Sequence, residues 1–238
     1  MIELRNPHPA FSNPTINEAV CDIHFTMPDD IDWNPSYYAK YFTLIQDEFS
    51  LFEPVFENSM KMRFHHDNRN HLIQLSESTL TINELSPYSG WGALKADIVK
   101  AWGIHQEVIG PVEIDAISLR YVNFIPAENE NQRLIEWLSM NKYVAKAVLQ
   151  TQPSFSQTLV TTPDGIRVMI NTGEIENPSE HHHKRVFVLD LNAMFMVEKG
   201  SKVQIDPVVT QLHDEVIWKI FDSFRSDKLT SLLEQEIK

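Results

Sequence analysis

Cysteine is almost absent from this sequence, because Cys21 is the only one among its 238 residues. A single cysteine cannot form a disulfide within the chain, which excludes the small disulfide-stapled domains of secreted proteins. It also excludes zinc sites that are built from several cysteines. Cys21 falls on the apolar side of an alternating pattern, so we expect a buried core thiol rather than a nucleophile.

Long apolar runs and blocks of positive charge are missing as well. No stretch approaches the ~20 consecutive apolar residues of a membrane span, and the first residues lack the apolar core of a signal peptide. The chain has 20 Lys and Arg against 33 Asp and Glu, a net charge of −13. This excess repels phosphate backbones, which disfavours nucleic acid as a partner. We expect a cytoplasmic protein that does not bind membranes.

Glycine is scarce, and its placement excludes the common phosphate-binding loops. The seven glycines form neither a dinucleotide-binding fingerprint nor a P-loop. The nucleophile elbow of hydrolases and the paired-histidine helix of zinc proteases are also missing. The sequence therefore predicts no catalytic residue and no cofactor.

The composition is that of an ordinary globular protein, with 42% hydrophobic and 22% charged residues. Alternating apolar and polar residues predict a strand over residues 16–27, with Cys21 on its apolar face. Apolar spacing and turn residues predict the remaining elements. These are helices at about 38–49, 87–102, 132–138, 206–224 and 227–237, and strands at 60–66, 71–75, 79–85, 114–125, 154–160, 166–171 and 184–192.

The order of these elements predicts the fold class. The sequence β-α-β-β-β-α occurs twice, over residues of about 15–108 and 112–225. We expect an α+β fold in which helices pack on one face of an antiparallel sheet. Element order alone also suggests an internal duplication with a pseudo-twofold axis. The two halves would be residues 1–110 and 111–238, closely packed or in one compact domain.

The sheet face opposite the core carries the best-defined polar cluster. Glu18, Asp22 and His24 lie on the polar side of the first strand. An alignment of the two halves at Pro28 and Pro126 matches Asp22 with Arg120, and pairing of the two strands would allow an ion pair between them. Such a cluster is either a patch that binds a ligand or partner, or a structural ion pair in the sheet.

Aromatic residues give a second group of candidates. Trp102 and Trp218 lie on helical stripes and are expected in the core. Trp91 stands beside Tyr88 and two glycines at the start of a helix. These two residues either pack in the core or form an exposed aromatic anchor that a partner binds.

Three consecutive histidines, His181, His182 and His183, follow several glutamates. Imidazole and carboxylate groups are common metal ligands, which makes these histidines weak candidates. Adjacent residues of an extended segment alternate in direction, so three in a row rarely face one ion. We therefore expect no physiological metal site, although added nickel or zinc can bind.

Four short segments carry a resemblance to known proteins. They are residues 13–25 (NPTINEAVCDIHF), 88–91 (YSGW), 119–123 (LRYVN) and the helix over residues 212–221. These segments resemble a bacterial family of uncharacterised proteins that is described only as sporadically distributed. The resemblance implies a prokaryotic protein in a patchily distributed context such as defence, mobile elements or toxin systems. It implies no catalytic residues.

Three functions are compatible with these observations. The one we favour is a non-enzymatic binding or regulatory protein that acts on a protein partner or as a homo-oligomer. The first alternative is an enzyme or sensor that binds a phosphorylated or nucleotide-like ligand on the open sheet face through Arg120, Glu18, Asp22 and His24. The second is nucleic-acid binding by that face, which would depend steeply on salt.

Overall fold

The computed structural model describes residues 11–56, 60–127, 129, 131–139, 155–176 and 185–235. These residues form one nine-stranded sheet in the order β2-β3-β4-β5-β1-β6-β9-β8-β7, in which all neighbours pair antiparallel. The strands are β1 (Ile16–Thr26), β2 (Leu51–Phe56), β3 (Met60–His65), β4 (His71–Leu75), β5 (Thr79–Leu85), β6 (Glu113–Pro126), β7 (Ser156–Thr161), β8 (Arg167–Glu176) and β9 (Arg185–Met196).

The helices of the described residues follow the predicted order along the chain. They are α1 (Ser36–Ile45), α2 (Trp91–Ile109), α3 (Leu134–Trp137), α4 (Ile205–Gln211), α5 (Trp218–Phe224) and α6 (Asp227–Leu233), and a π-helical segment (Leu212–Ile217) joins α4 to α5. Their buried residues share one hydrophobic core with the apolar side of the sheet. The predicted α+β class, with helices packed on an antiparallel sheet, is therefore confirmed.

β1 and β6 pair in the middle of the sheet, and their two faces differ in polarity. Cys21, Ile23 and Leu119 are fully buried on the core side, whereas Asp22 and Arg120 on the other side are partly exposed. A strand with one apolar and one polar face can be covered by helices on the apolar face alone. The expectation that Cys21 is a core thiol is confirmed, and burial raises the pKa of its thiol far above the usual value.

Helix α2 begins later and ends later than the sequence predicted. Gly90 precedes it with a φ of 102°, a conformation that a side chain disfavours, so the helix starts only at Trp91. The helix continues through Gly103 and stops at Gly110, where φ is 91°.

The helix predicted over residues 206–224 is present but contains the π-helical segment. A π-turn holds one more residue than an α-turn, so it rotates the following residues around the axis. After this segment Phe221 and Phe224 are buried, whereas Ile220 is only partly buried. The uniform spacing of an α-helix therefore does not hold at Ile220.

The proposed internal duplication stays a prediction. Strand β2 was missed in the sequence because it is exposed along nearly its whole length and has no buried face to reveal it. With β2 included, the first half has four strands after its first helix, and the second half has three among the described residues. The β1 and β6 strands of the two halves pair with each other along most of their length.

None of the described helices is long and apolar enough to cross a membrane.

The burial of His105, a residue of α2, makes the stability of the core dependent on pH. Its ring is fully buried between Phe25 and Trp102, with ring centroids 4.5 and 4.7 Å away, and neither ring nitrogen has a hydrogen-bond partner among the described residues. Burial disfavours the charged imidazolium and lowers the pKa of His105 to about 4. The histidine is therefore neutral in the folded protein at neutral pH.

We predict that His105 makes the fold sensitive to acid. The unfolded chain takes up this proton near pH 6.5 and the folded chain only near pH 4, so stability is retained above pH 6.5 and lost as the pH falls toward 4. The loss is about 3 kcal/mol. His105→Phe keeps the ring packing and should flatten this dependence in urea denaturation at pH 7.5 and pH 4.5. Leu44→Ala, at an exposed residue of α1 that does not titrate, is the control and should retain the wild-type slope.

Equal pH dependence of the wild-type and His105→Phe proteins would contradict this account.

Candidate functional site

The polar cluster predicted on the open face of the sheet exists, but its members bond to neighbouring strands. Thr81 Oγ1 donates to Asp22 Oδ1 at 2.5 Å, and Asn83 donates to Glu18. His24 Nδ1 lies 3.3 Å from the Thr79 hydroxyl. These partners all lie on β5, which pairs with β1 over this stretch. Each side chain therefore has a structural hydrogen bond on the adjacent strand.

Arg120 pairs with Asp190 rather than with Asp22. Its Nε and Nη2 donate to the two carboxylate oxygens of Asp190 at 2.8 and 2.9 Å, and Asn171 Nδ2 donates to the same carboxylate at 2.9 Å. The leading strands do pair as expected, but their register sets Ser118 opposite Asp22 and Val20 opposite Arg120. The predicted Asp22–Arg120 ion pair was wrong because β9 brings a carboxylate directly to the guanidinium.

The electrostatics of this face favour a structural role. The bond to Asp190 raises the pKa of Arg120, and the nearby charges of Glu18 and Asp22 raise it further. Asp190 is almost completely buried, whereas the Arg120 side chain is 41% exposed. The bidentate pair uses the Nε–Nη2 edge of the guanidinium, an edge that could otherwise receive a phosphate or carboxylate ligand. The interpretation of this cluster as a structural ion pair is therefore the better supported one.

A cavity of about 240 Å³ lies on the other side of the sheet, among the helices. It opens where β1 begins and runs beside β6, and α2, the π-helical segment, α5 and α6 close it. Its wall is mostly aromatic and aliphatic. The lining residues include Phe11, Ile16, Tyr88, Trp91, Tyr121, His213, Ile217, Trp218, Phe221 and Leu233. We call this space the Tyr88–Trp91 cavity.

Two tyrosine hydroxyls form the main polar feature of the cavity wall. Tyr88 and Tyr121 Oη atoms are 3.0 Å apart, and the rings meet edge to face. Burial raises the pKa of both hydroxyls, so both stay neutral at physiological pH. One hydroxyl donates to the other, which leaves the second O–H of the pair able to donate to another acceptor.

Trp91 and His213 form a stacked pair in the same wall. Their rings are parallel within 2° with centroids 4.1 Å apart, and His213 Nδ1 lies 2.6 Å from Asp214. Trp91 is the first residue of α2 and is only 7% exposed. The alternative of an exposed Trp91 anchor was therefore wrong, since the helix start turns this ring inward against the π-helical segment.

The residues before β1 close one end of the cavity. Asn13 N–H donates to the Leu233 carbonyl at 3.0 Å, which ties this segment to α6. The Phe11 ring stacks on Trp218 at 5.9 Å. Thr15 Oγ1 donates to Asn123 Oδ1 at 3.0 Å, so these buried polar groups satisfy each other within the apolar wall. Trp218, expected in the core, is partly buried and lines the cavity instead.

Two of the sequence candidates, Tyr88 and Trp91, therefore lie together at the cavity, while Glu18, Asp22, His24 and Arg120 lie on the opposite face of the sheet. Sequence reasoning missed Tyr121 and His213. Both lie in the segments that carry the family resemblance, as do Tyr88 and Trp91, and a histidine on an apolar helical stripe was a visible signal. Trp102, the other stripe tryptophan, is buried in the core as expected.

Metal ligands do not cluster in the part of the chain that the structure describes, where no three His, Cys, Asp or Glu side chains could hold an ion. The weak candidates His181, His182 and His183 lie outside the described residues.

We predict that Arg120→Met destabilises the protein by about 2 kcal/mol. The substitution leaves the buried Asp190 carboxylate without its cation, and the cost is reduced because the guanidinium is partly exposed to solvent. Asp190→Asn in the same chain removes the unpaired charge and should restore most of the loss. Urea denaturation of the wild-type protein, the single variant and the double variant measures both effects.

A double variant as unstable as Arg120→Met alone would show that the unpaired carboxylate is not the cause.

No protein-family model matches the chain, and no curated protein matches it. The resemblance to the sporadically distributed bacterial family therefore stays a prediction.

Proposed function

We propose that this chain is a binding protein that holds a compact, neutral aromatic molecule in the Tyr88–Trp91 cavity. The observation that carries the proposal is a cavity of about 240 Å³ with aromatic walls and one hydroxyl pair. Ligand sites are typically apolar hollows with a few polar groups that orient the guest. The volume lies just below the usual range of roughly 300–1,000 Å³, which favours a ligand of one or two rings.

The wall favours an aromatic guest over an aliphatic one. Trp91, Tyr121 and Trp218 line the space, and His213 stacks on Trp91. Aromatic rings attract one another in offset or edge-to-face arrangements beyond the gain from burial alone. A flat aromatic ligand can contact several of these rings at the same time.

The same wall favours a neutral guest that has one hydrogen-bonding oxygen. The described lining residues include no Lys, Arg, Asp or Glu, so a charged ligand would lose its hydration without gaining an ionic partner. The Tyr88–Tyr121 pair can donate one hydrogen bond to a hydroxyl or carbonyl oxygen. A phenol-like molecule combines both properties.

The earlier functional predictions remain predictions. Action through protein contacts is compatible with a ligand that regulates such contacts. Binding of a phosphorylated ligand at Arg120 is less favoured, since its guanidinium is occupied by Asp190. Nucleic-acid binding by the open sheet face has the same difficulty, together with the net charge of −13.

Phenol and benzene provide a matched pair of test ligands. We expect both to bind the wild-type protein in isothermal titration calorimetry, with phenol about fivefold tighter because of one hydrogen bond. The double variant Tyr88→Phe/Tyr121→Phe keeps both rings and removes both hydroxyls, so it should abolish the advantage of phenol and leave benzene binding nearly unchanged. Tyr37→Phe on α1, away from the cavity, should bind as the wild-type protein does.

The proposal fails if neither ligand binds the wild-type protein at millimolar concentration. The assignment of the hydrogen bond to the two tyrosine hydroxyls fails if phenol keeps its advantage over benzene in the double variant Tyr88→Phe/Tyr121→Phe.

A further inference from the structure

The two edges of the sheet differ in how well they are protected against pairing with another strand. At the β2 edge, Pro54 lacks an N–H, and Glu53 carries a charge that is bonded to Arg63 and His65. A proline or a charge on an edge strand prevents a further strand from being added. Proline is tolerated in a paired strand only where its missing N–H faces away from the neighbour. The β2 edge is therefore blocked.

Within the described strand β7, none of these protections is present. Its residues Ser156, Gln157, Thr158, Leu159, Val160 and Thr161 include no proline and no charge. Leu159 is 72% exposed and Val160 is 42% exposed, on opposite faces of the strand. A short, uncharged segment with high β propensity at an open edge is the usual template for pairing with another chain.

We propose that β7 pairs antiparallel with β7 of a second copy of this chain, about a twofold axis at Leu159. A twofold axis perpendicular to the sheet leaves the helix-covered faces of both copies on the same side of the joined sheet. Since side chains alternate between the faces of a strand, an odd-numbered residue must lie opposite an odd-numbered one, and an even-numbered residue opposite an even-numbered one. With Leu159 on the axis, Leu159 lies opposite Leu159 of the partner subunit. Thr158 then lies opposite the partner's Val160, and Gln157 opposite the partner's Thr161.

This register extends an apolar row on each face of the joined sheet. Met169 of β8 is opposite Leu159 within the chain. On the open face of the joined sheet, these two residues and the same two residues of the second copy form one apolar strip. On the helix side, Val168 is opposite Val160 and Ile170 is opposite Thr158. Pairs of apolar and β-branched side chains directly opposite each other stabilise antiparallel sheets.

A second copy suits this edge better than an unrelated partner. The strand is complementary to itself in this register, which is the condition for an isologous twofold interface. The chain has a net charge of −13, and two copies repel each other over most of their surface. Because β7 carries no charged residue, two copies can pair through this strand without placing like charges opposite each other.

A concentration series in sedimentation velocity tests the dimer. The wild-type protein should sediment as a species of twice the chain mass at high concentration. Leu159→Lys sets two like charges opposite each other at the axis and should raise the dissociation constant at least about tenfold. Phe56→Lys on the blocked β2 edge, at a residue 74% exposed, is the matched control and should dimerise as the wild-type protein does.

Cross-linking tests the register itself. Residues directly opposite in an antiparallel pair have Cα atoms about 4.5–5.5 Å apart, which a disulfide can span. Leu159→Cys should form a covalent dimer on mild oxidation, since the native Cys21 is buried. Leu51→Cys, exposed on the β2 edge, should stay monomeric on a denaturing gel.

A wild-type protein that stays monomeric at every concentration would overturn the proposal. So would a dimer that Leu159→Lys leaves intact, or one in which Leu159→Cys fails to cross-link.

Discussion

The antiparallel pairing of β1 with β6 in the middle of the sheet sets the arrangement of the other elements. The register of the two strands aligns Cys21 with Leu119 and Asp22 with Ser118. A slip by one residue would turn the buried set of one strand to the polar face of the other. The pairing therefore decides which face the helices cover and which side chains meet on the opposite face.

This pairing also separates the two polar features of the protein. On the open face, Asp190 satisfies Arg120 and is itself held by Asn171, so the polar groups are used within the sheet. On the helix face, the hydroxyls of Tyr88 and Tyr121 bond to each other beside an apolar cavity. A polar pair in an apolar wall can orient a guest, whereas a closed ion pair mainly fixes the geometry of the sheet.

The two proposals concern distant parts of the sheet. The Tyr88–Trp91 cavity lies beside β1 and β6, while β7 is separated from β6 by β9 and β8. A ligand in the cavity and a second copy at the β7 edge can therefore be present together. The helices over the cavity and the strands that lead to the edge share one hydrophobic core, so both depend on its integrity.

The α+β class, most strand positions and the burial of Cys21 could be predicted from the sequence, because alternation and helical spacing are local patterns that burial enforces. The sequence also indicated Tyr88 and Trp91, but not the residues that they contact. The bond from Arg120 to Asp190 and the stacking of His213 on Trp91 became visible only in the folded chain. These partners are 70 and more than 100 residues apart in the chain, and their contact follows from strand register and a π-turn, which no local pattern encodes.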